Sequence, residues 1–244
     1  GDRIELKADG RLHGTARKIP FARDAGCIAV LARRGEEAVV ALVDSADCTI
    51  TAGKNLAGDP LDTVCFDGAI PETVEPAPDS IDEDALTQMG AAVRTAQIAG
   101  ALRGILDMSV DYAQERMAFG RPIGKFQAVQ HNLARLGGET AAAIAAVGAV
   151  ADRLGRSETF DDQVLFEVAA AKTRVGEAAG EGAAIGHQVH GAIGFTDEHI
   201  LHRYTMRLWS WREDFGSESV WAVRLGEMVA ARGADALWPM VTAQ

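Results

Sequence analysis

The sequence predicts an α+β chain: a small antiparallel β domain followed by a long-helix domain of the four-helix-bundle type. Three observations predict it. Residues 1–69 carry short alternating runs divided by turn residues, residues 70–80 hold three prolines and three acids, and from Ser80 onward apolar residues recur at spacings of three and four. The domain boundary is therefore expected at 78/79, giving a small β domain over 1–78 and a helical domain over 79–244.

The runs RIELKA, RLHGTARKI, CIAVLAR, EAVVALV, CTITA and TVCFDG read as strands, with DG, RRGEE and GDP as turns between them. IPETVEPAPDS (70–80) reads as a surface linker. Ser80 is the expected cap of the first helix, with Asp82, Glu83 and Asp84 in its first turn. Ile98, Leu102, Ile105, Ser109 and Tyr112 share one stripe, and no breaker occurs before Gly120, which predicts a helix of roughly 35 residues, about 50 Å long. Val129, Leu133, Leu136, Thr140, Ile144, Val147 and Leu154 mark a second helix that Gly155 closes. A third is expected from about Asp161 to His190, a fourth from near Asp197, and a fifth over Ser217 to Arg232, ahead of Pro239. Alanine-rich faces such as 141–151 suit close packing of antiparallel helices.

Composition narrows the function. Hydrophobic residues at 48% and charged residues at 24% are ordinary for a soluble globular chain. A formal net charge of -11 argues against binding to nucleic acid or to an anionic membrane, because both depend on lysine and arginine. The three cysteines, Cys27, Cys48 and Cys65, form no CxxC pair, which disfavours a disulfide framework or a zinc ribbon and points to a reducing compartment, the cytoplasm. No continuous apolar run of membrane-spanning length and no signal peptide is visible. The opening GDRIEL lacks methionine and already reads as a strand, as a fragment or a processed product would.

The stretch AAGEGAAIGHQVHGAIGF (178–195) carries five glycines in an otherwise helical run. Each costs about 1 kcal/mol relative to alanine inside a helix, so something must approach this backbone closely. Gly180, Gly182 and Gly186 fit helix packing, whereas Gly191 and Gly194 fit a turn that admits a ligand. His187/His190 and His199/His202 have metal-like i, i+3 spacing but lack a cysteine or clear carboxylate partner, so packed histidines are expected. Trp209, Trp211 and Trp221 are either a substrate-facing wall or core and interface residues.

Three segments carry a family likeness: YAQERMAFGRPIGKFQ (112–127), QVHGAIGFTDEHILHRY (188–204) and REDFGSESVWAVRLGE (212–227). In order, they resemble the RxxFG signature, the QxxGGxGF turn and the base-bearing loop of the acyl-CoA dehydrogenase family, and the strand half resembles its middle β domain. The resemblance implies a C-terminal helical bundle and an FAD shared across a subunit interface. It implies that Arg116, Phe119 and Gln127 reach the adenine and pyrophosphate end of a flavin held mainly by a neighbour, with Arg116 matching the pyrophosphate charge. Gln188 and the turn of Gly191, Ala192 and Gly194 would line the same dinucleotide, and Ser217 is taken as a further cofactor-binding position. The implied reaction is α,β-desaturation of an acyl-CoA, a glutamate taking the α-proton while hydride passes to FAD. Electrons would go on to an electron-transfer flavoprotein, from a homodimer, homotetramer or heteromer.

The pattern departs from the family in four places. Phe215 stands where the glutamate is expected; a one-residue shift of the loop would offer Asp214 or Glu213 as base, of which Asp214 is the candidate, and the alternative base position on the first bundle helix falls near Gly90. Ala192 replaces a glycine, and Lys18-Ile19-Pro20 stands where a strand usually faces the flavin ring, with proline offering no N–H. The family's N-terminal helical domain has no counterpart in this sequence. Two alternatives to an active dehydrogenase follow: a non-catalytic partner subunit that completes the site of a glutamate-bearing relative, or a helical interaction module that has lost flavin. Even with Phe215, a backbone N–H at that position can polarise a thioester carbonyl.

Overall fold

The computed structural model describes residues 3–242. The chain divides into two compact units, one up to Leu86 and one from Thr87 on. That division falls inside the first turn of the first long helix rather than at 78/79.

The first unit contains β1 (Glu5–Leu6), β2 (Leu12–His13), β3 (Thr15–Pro20), β4 (Cys27–Arg34), β5 (Glu37–Asp44), β6 (Thr49–Thr51), β7 (Leu61–Cys65) and β8 (Thr73–Pro76). They form a five-stranded sheet in the order β2-β1-β4-β5-β8 and a three-stranded sheet in the order β3-β7-β6. All pairs are antiparallel except β1 with β4. On β5, Val39, Ala41 and Val43 are fully buried while the residues between them are not, the alternation of a sheet covered on one face. The expected strand RLHGTARKI breaks into β2 and β3 at Gly14, where φ is +138° and a Cβ would come 2.6 Å from the Arg3 carbonyl oxygen. The expected linker contains a strand: β8 pairs with the edge of β5, Leu42 opposite Thr73 and Val39 opposite Pro76. An edge tolerates proline because the missing N–H faces no neighbour. In β3 the register shifts between Ala16 and Ile19, and Lys18 has a φ of 58°, so Lys18-Ile19-Pro20 is a bulged segment rather than a regular strand. Buried Asp62 accepts from Arg23 Nε at 3.0 Å and from the Gly53 N–H at 3.0 Å, and the arginine holds its carboxyl well below the usual carboxylate range.

The helical part comprises α1 (Glu83–Glu115), the hairpin β9 (Met117–Ala118) and β10 (Arg121–Pro122), α2 (Gln127–Arg156), α3 (Asp162–His190), α4 (Leu201–Glu213), α5 (Glu218–Arg232) and α6 (Leu237–Thr242). Asp82 rather than Ser80 caps α1, its carboxylate accepting from the Ala85 N–H at 2.8 Å. α1 stops at Glu115, short of Gly120. Phe119 and Gly120 both take positive φ, 52° and 78°, which closes a tight hairpin and ends the helical path. Ile98, Leu102, Ile105 and Ser109 are fully buried on α1, as their spacing predicts. On α2 the buried line is Leu136, Thr140, Ala143 and Val150, and Ile144 is 47% exposed because the helix is covered along the side that meets α3. Its most apolar stretch has a mean hydropathy of 1.3, making α2 the one described helix long and apolar enough, by length and composition alone, to cross a membrane.

α3 is the most enclosed helix, with Val175, Ala178, Ala179 and Ala183 fully buried. A Cβ on Gly182 would overlap the Leu102 side chain, and one on Gly186 would lie 2.8 Å from Ile105. These glycines admit α1. Gly180 does not belong with them: a Cβ there would meet only Arg212 Nη1, at an ordinary 3.5 Å. Pro239 is the third residue of α6, inside its first turn, where a helix needs no intrahelical N–H partner.

Candidate functional site

Two regions of the helical unit carry the chemistry, and α1 joins them. The first is the loop after α4. Asp214, the candidate base, is the ion-pair partner of Arg94, 2.8 Å away, and both side chains are nearly buried. Arg94 also donates to Gln97 Oε1 at 2.6 Å and lies 5.7 Å from the Trp211 ring centroid. The guanidinium occupies the carboxylate, so Asp214 is engaged in structure rather than presented to a ligand. Glu213 is exposed, with Arg212 Nε 3.9 Å from its carboxylate.

Phe215 occupies the expected base position with a φ of 57°, followed by Gly216 at 96°. Its ring fills the space over Gly90, where any Cβ would overlap it. The two positions at which the family likeness places a base are therefore in contact here, and neither carries an acid. The Phe215 carbonyl accepts from Trp221 Nε1 at 2.9 Å, and Trp221 is itself buried. Lys172, fully buried on α3, donates to the Arg212 carbonyl at 2.7 Å and reaches that of Trp211 at 3.4 Å. These are among the last carbonyls of α4, which a cation suits. Burial pushes the Lys172 ammonium down to about 8, opposed by the charges of Asp214, Glu218 and Glu213. Ser217 precedes α5 without a side-chain cap bond.

The second region is the opposite end of α1. Tyr112 stacks on His190 with ring centroids 4.6 Å apart, bringing the ends of α1 and α3 together. Arg116 follows, exposed and without an ion pair among the described residues. Its carbonyl accepts from the Ile123 N–H at 2.8 Å, which ties down the hairpin. At the hairpin tip Phe119 is 95% exposed. Gln127 opens α2, and Gln188 projects from the last turn of α3; both are exposed. Gly191 ends α3 at a φ of 65° with nothing within 4 Å of a Cβ position, so its conformation, not crowding, requires glycine. Ala192 is exposed. Gly194 differs from the expectation: it is buried, and a Cβ would come 2.9 Å from Leu201 and 3.3 Å from His187 Nδ1. It serves packing beneath the turn, leaving Gly191 as the turn glycine open to a ligand.

The histidines support that turn. His187 lies between Phe195, at 3.9 Å, and Trp209, at 5.8 Å, and its Nε2 is 2.8 Å from Thr205 Oγ1. His190 donates through Nδ1 to the Gly186 carbonyl at 2.8 Å. Burial pushes both below the ordinary imidazole value. Because the folded state disfavours their protonation, stability is fully present above the unfolded value near 6.5 and is lost as the pH falls through the depressed folded values. Thermal scans between pH 7.5 and 5 should therefore show a falling midpoint, and H187Q/H190Q should flatten that slope. An unchanged slope would show that these histidines are not the source.

Gly90 and Glu115 lie 25 residues apart on α1, about 38 Å at the helical rise. The two regions of one chain are thus too far apart to meet at a single reacting centre. An exposed, uncompensated arginine, two outward amides and an open glycine turn suit an anionic dinucleotide.

The family description "Acyl-CoA dehydrogenase, C-terminal domain" matches residues 84–225. The chain belongs to the acyl-CoA dehydrogenase family. Among curated acyl-CoA dehydrogenases, IpdE2 of Mycobacterium tuberculosis (strain ATCC 25618 / H37Rv) is 35% identical over 122 residues, covering 50% of this chain and 36% of that protein. FadE34 of the same organism is 34% identical over 152 residues, covering 62% of this chain and 21% of that protein. The chain thus spans well under half the length of either relative. The crystal structure of the ChsE4-ChsE5 complex from Mycobacterium tuberculosis superposes with a TM-score of 0.75 at 26% identity, over 94% of this chain and 63% of that one. Membership of the acyl-CoA dehydrogenase family makes this an oxidoreductase-family chain with a flavin as the implied cofactor. Within it, Arg94 and Lys172 are the residues that the sequence alone does not single out. The available signal for Arg94 is a lone cation in an otherwise small or apolar run, AAVRTAQIAG; Lys172, with Arg174 two residues on in EVAAAKTRV, lacks even that.

Proposed function

We propose that this chain is the non-catalytic partner subunit of a heteromeric acyl-CoA dehydrogenase, lending its Arg116–Gln127 and Gln188–Gly194 end to an FAD held mainly by a glutamate-bearing neighbour. One observation carries the proposal. Phe215 is seated over Gly90 and the nearest acid, Asp214, is bound to Arg94, so no free carboxylate stands at either base position. The opposite end keeps an uncompensated Arg116 and an open Gly191.

At that end, Arg116 would offset pyrophosphate charge, the amides of Gln127 and Gln188 would hydrogen-bond sugar or base edges, and exposed Phe119 would cover an apolar face. FAD, when bound, supplies the two-electron acceptor for acyl-CoA desaturation. This chain's own contribution is to bind, orient and exclude water, while proton removal falls to the neighbour's carboxylate. An electron-transfer flavoprotein is the proposed acceptor of the assembly's electrons.

Native mass spectrometry of the complex purified from its own cells tests the proposal. A mixed assembly with fewer flavins than chains is expected, and R116A should lower flavin retention without changing chain stoichiometry. A homo-oligomer holding one flavin per chain and oxidising acyl-CoA would overturn it in favour of an active dehydrogenase.

A further inference from the structure

We propose that the first unit carries a binding site for a free medium-chain fatty carboxylate, its chain in an apolar cavity beside β3, β4 and β7 and its carboxylate on Arg3 and Arg33. The site is built from residues of that unit alone and does not depend on the flavin reading.

The cavity measures about 250 Å³ and is walled by Ile4, Ile19, Val30, Val64, Phe66 and Leu86. Close-packed protein interiors hold few voids larger than a water molecule, so an opening of this size is more than packing slack. A bulge bends its strand, and Ala16 and Ile19, which flank the register shift in β3, both line the space. An apolar cavity of about 150 Å³ stays dry and takes up benzene, and by that measure this one admits roughly ten carbons.

Charge is gathered at the boundary of the cavity. Arg3 and Arg33 also line an adjoining cleft of about 260 Å³ with Glu5 and Lys7, so both arginines stand where apolar space meets polar space. Glu83 is the one acid on the cavity wall. Arg3, Arg33 and Lys7 therefore face Glu5 and Glu83, which leaves a surplus of positive charge. Glu5 is engaged by Lys7, and exposed Glu83 meets Arg33 at 3.3 Å, a surface pair that an incoming anion exchanges at little cost. The planar fork of a guanidinium matches a carboxylate. An apolar chain that ends in a carboxylate satisfies both halves of the site, whereas a neutral chain leaves the arginines unanswered.

The test uses the full chain in its native complex. Calorimetric affinities for octanoate, butyrate and 1-octanol are measured with hydrogen exchange over 27–34 and 61–65, in wild type, R3Q, R33Q and A29W. Ala29 is an exposed wall residue, so the tryptophan obstructs the opening without entering the core. Octanoate should slow exchange in both segments, and each methylene removed toward butyrate should weaken binding about fourfold. R3Q and R33Q should each weaken octanoate binding about tenfold, the size of one charged hydrogen bond, and leave 1-octanol unchanged. A29W should abolish binding of both, with an unaltered melting temperature in the absence of ligand. Octanoate affinity unchanged in R3Q and R33Q would overturn the carboxylate site. So would displacement of octanoate by octanoyl-CoA, whose carboxyl is masked as a thioester, because that places the chain in an acyl-CoA site instead. A wild-type complex that binds no octanoate and already protects both segments would overturn it in favour of a polypeptide segment covering the cavity.

Discussion

Arg94→Ala is expected to destabilise the helical unit by about 3–5 kcal/mol, because it strands the Asp214 carboxylate in a nearly dry site. The cost arises from the abandoned charge more than from the lost attraction. It follows that R94A/D214A should be much less damaging than R94A alone, and that the double-mutant cycle should return a coupling well beyond that of an exposed pair. The exposed pair Arg103–Asp107, at 3.0 Å on the same helix, is the internal reference; alanine there should cost no more than about 1 kcal/mol. Denaturant titration followed by tryptophan fluorescence measures both, since Trp211 lies under Arg94 and Trp221 is tied to Phe215. Equal costs at the two pairs would contradict the burial of the Arg94–Asp214 bridge.

The second large effect is a change of sign. Gly90→Ala should gain about 1 kcal/mol from helix propensity, yet its new methyl collides with the Phe215 ring, and overpacking of that kind costs about 1–3 kcal/mol. The net result in the wild-type background is destabilisation. In a Phe215→Ala background the obstruction is gone, and the same G90A change should stabilise the unit by up to about 1 kcal/mol. Urea midpoints of the four proteins decide it. Additive single effects would show that the ring does not rest on Gly90.

Much of the architecture is legible in the sequence because it is written in local periodicity. The α1 stripe of Ile98, Leu102, Ile105 and Ser109 is buried as its spacing predicts, and the alternation of β5 survives intact. What escapes local pattern is pairing across the chain. β8 is hidden by Pro76, which an edge strand accepts, and by Pro71 and Pro78 on either side of it. Ile144 matches the helical spacing yet faces outward, since spacing gives a face but not what covers it. At the candidate site the lack of an acid at positions 90 and 215 is visible in the sequence, but their contact is not. Nor is the ion pair between residues 94 and 214, because nothing local links positions so distant. Gly191 and Gly194 look alike as letters, and only the packing of His187 and Leu201 separates their reasons for being glycine.

The long α1 also constrains how this chain can change. Gly90 at one end and Arg116 just past the other share one continuous helix, so their angular phase is set by the number of residues between them. A single-residue insertion would rotate one end against the other by about 100°. Seven inserted residues would nearly restore the angle, to within about 20°, but would lengthen the helix by about 10 Å. The length of α1 is therefore as constrained as its buried face: the helix acts as a spindle that keys two remote surfaces to a common rotation.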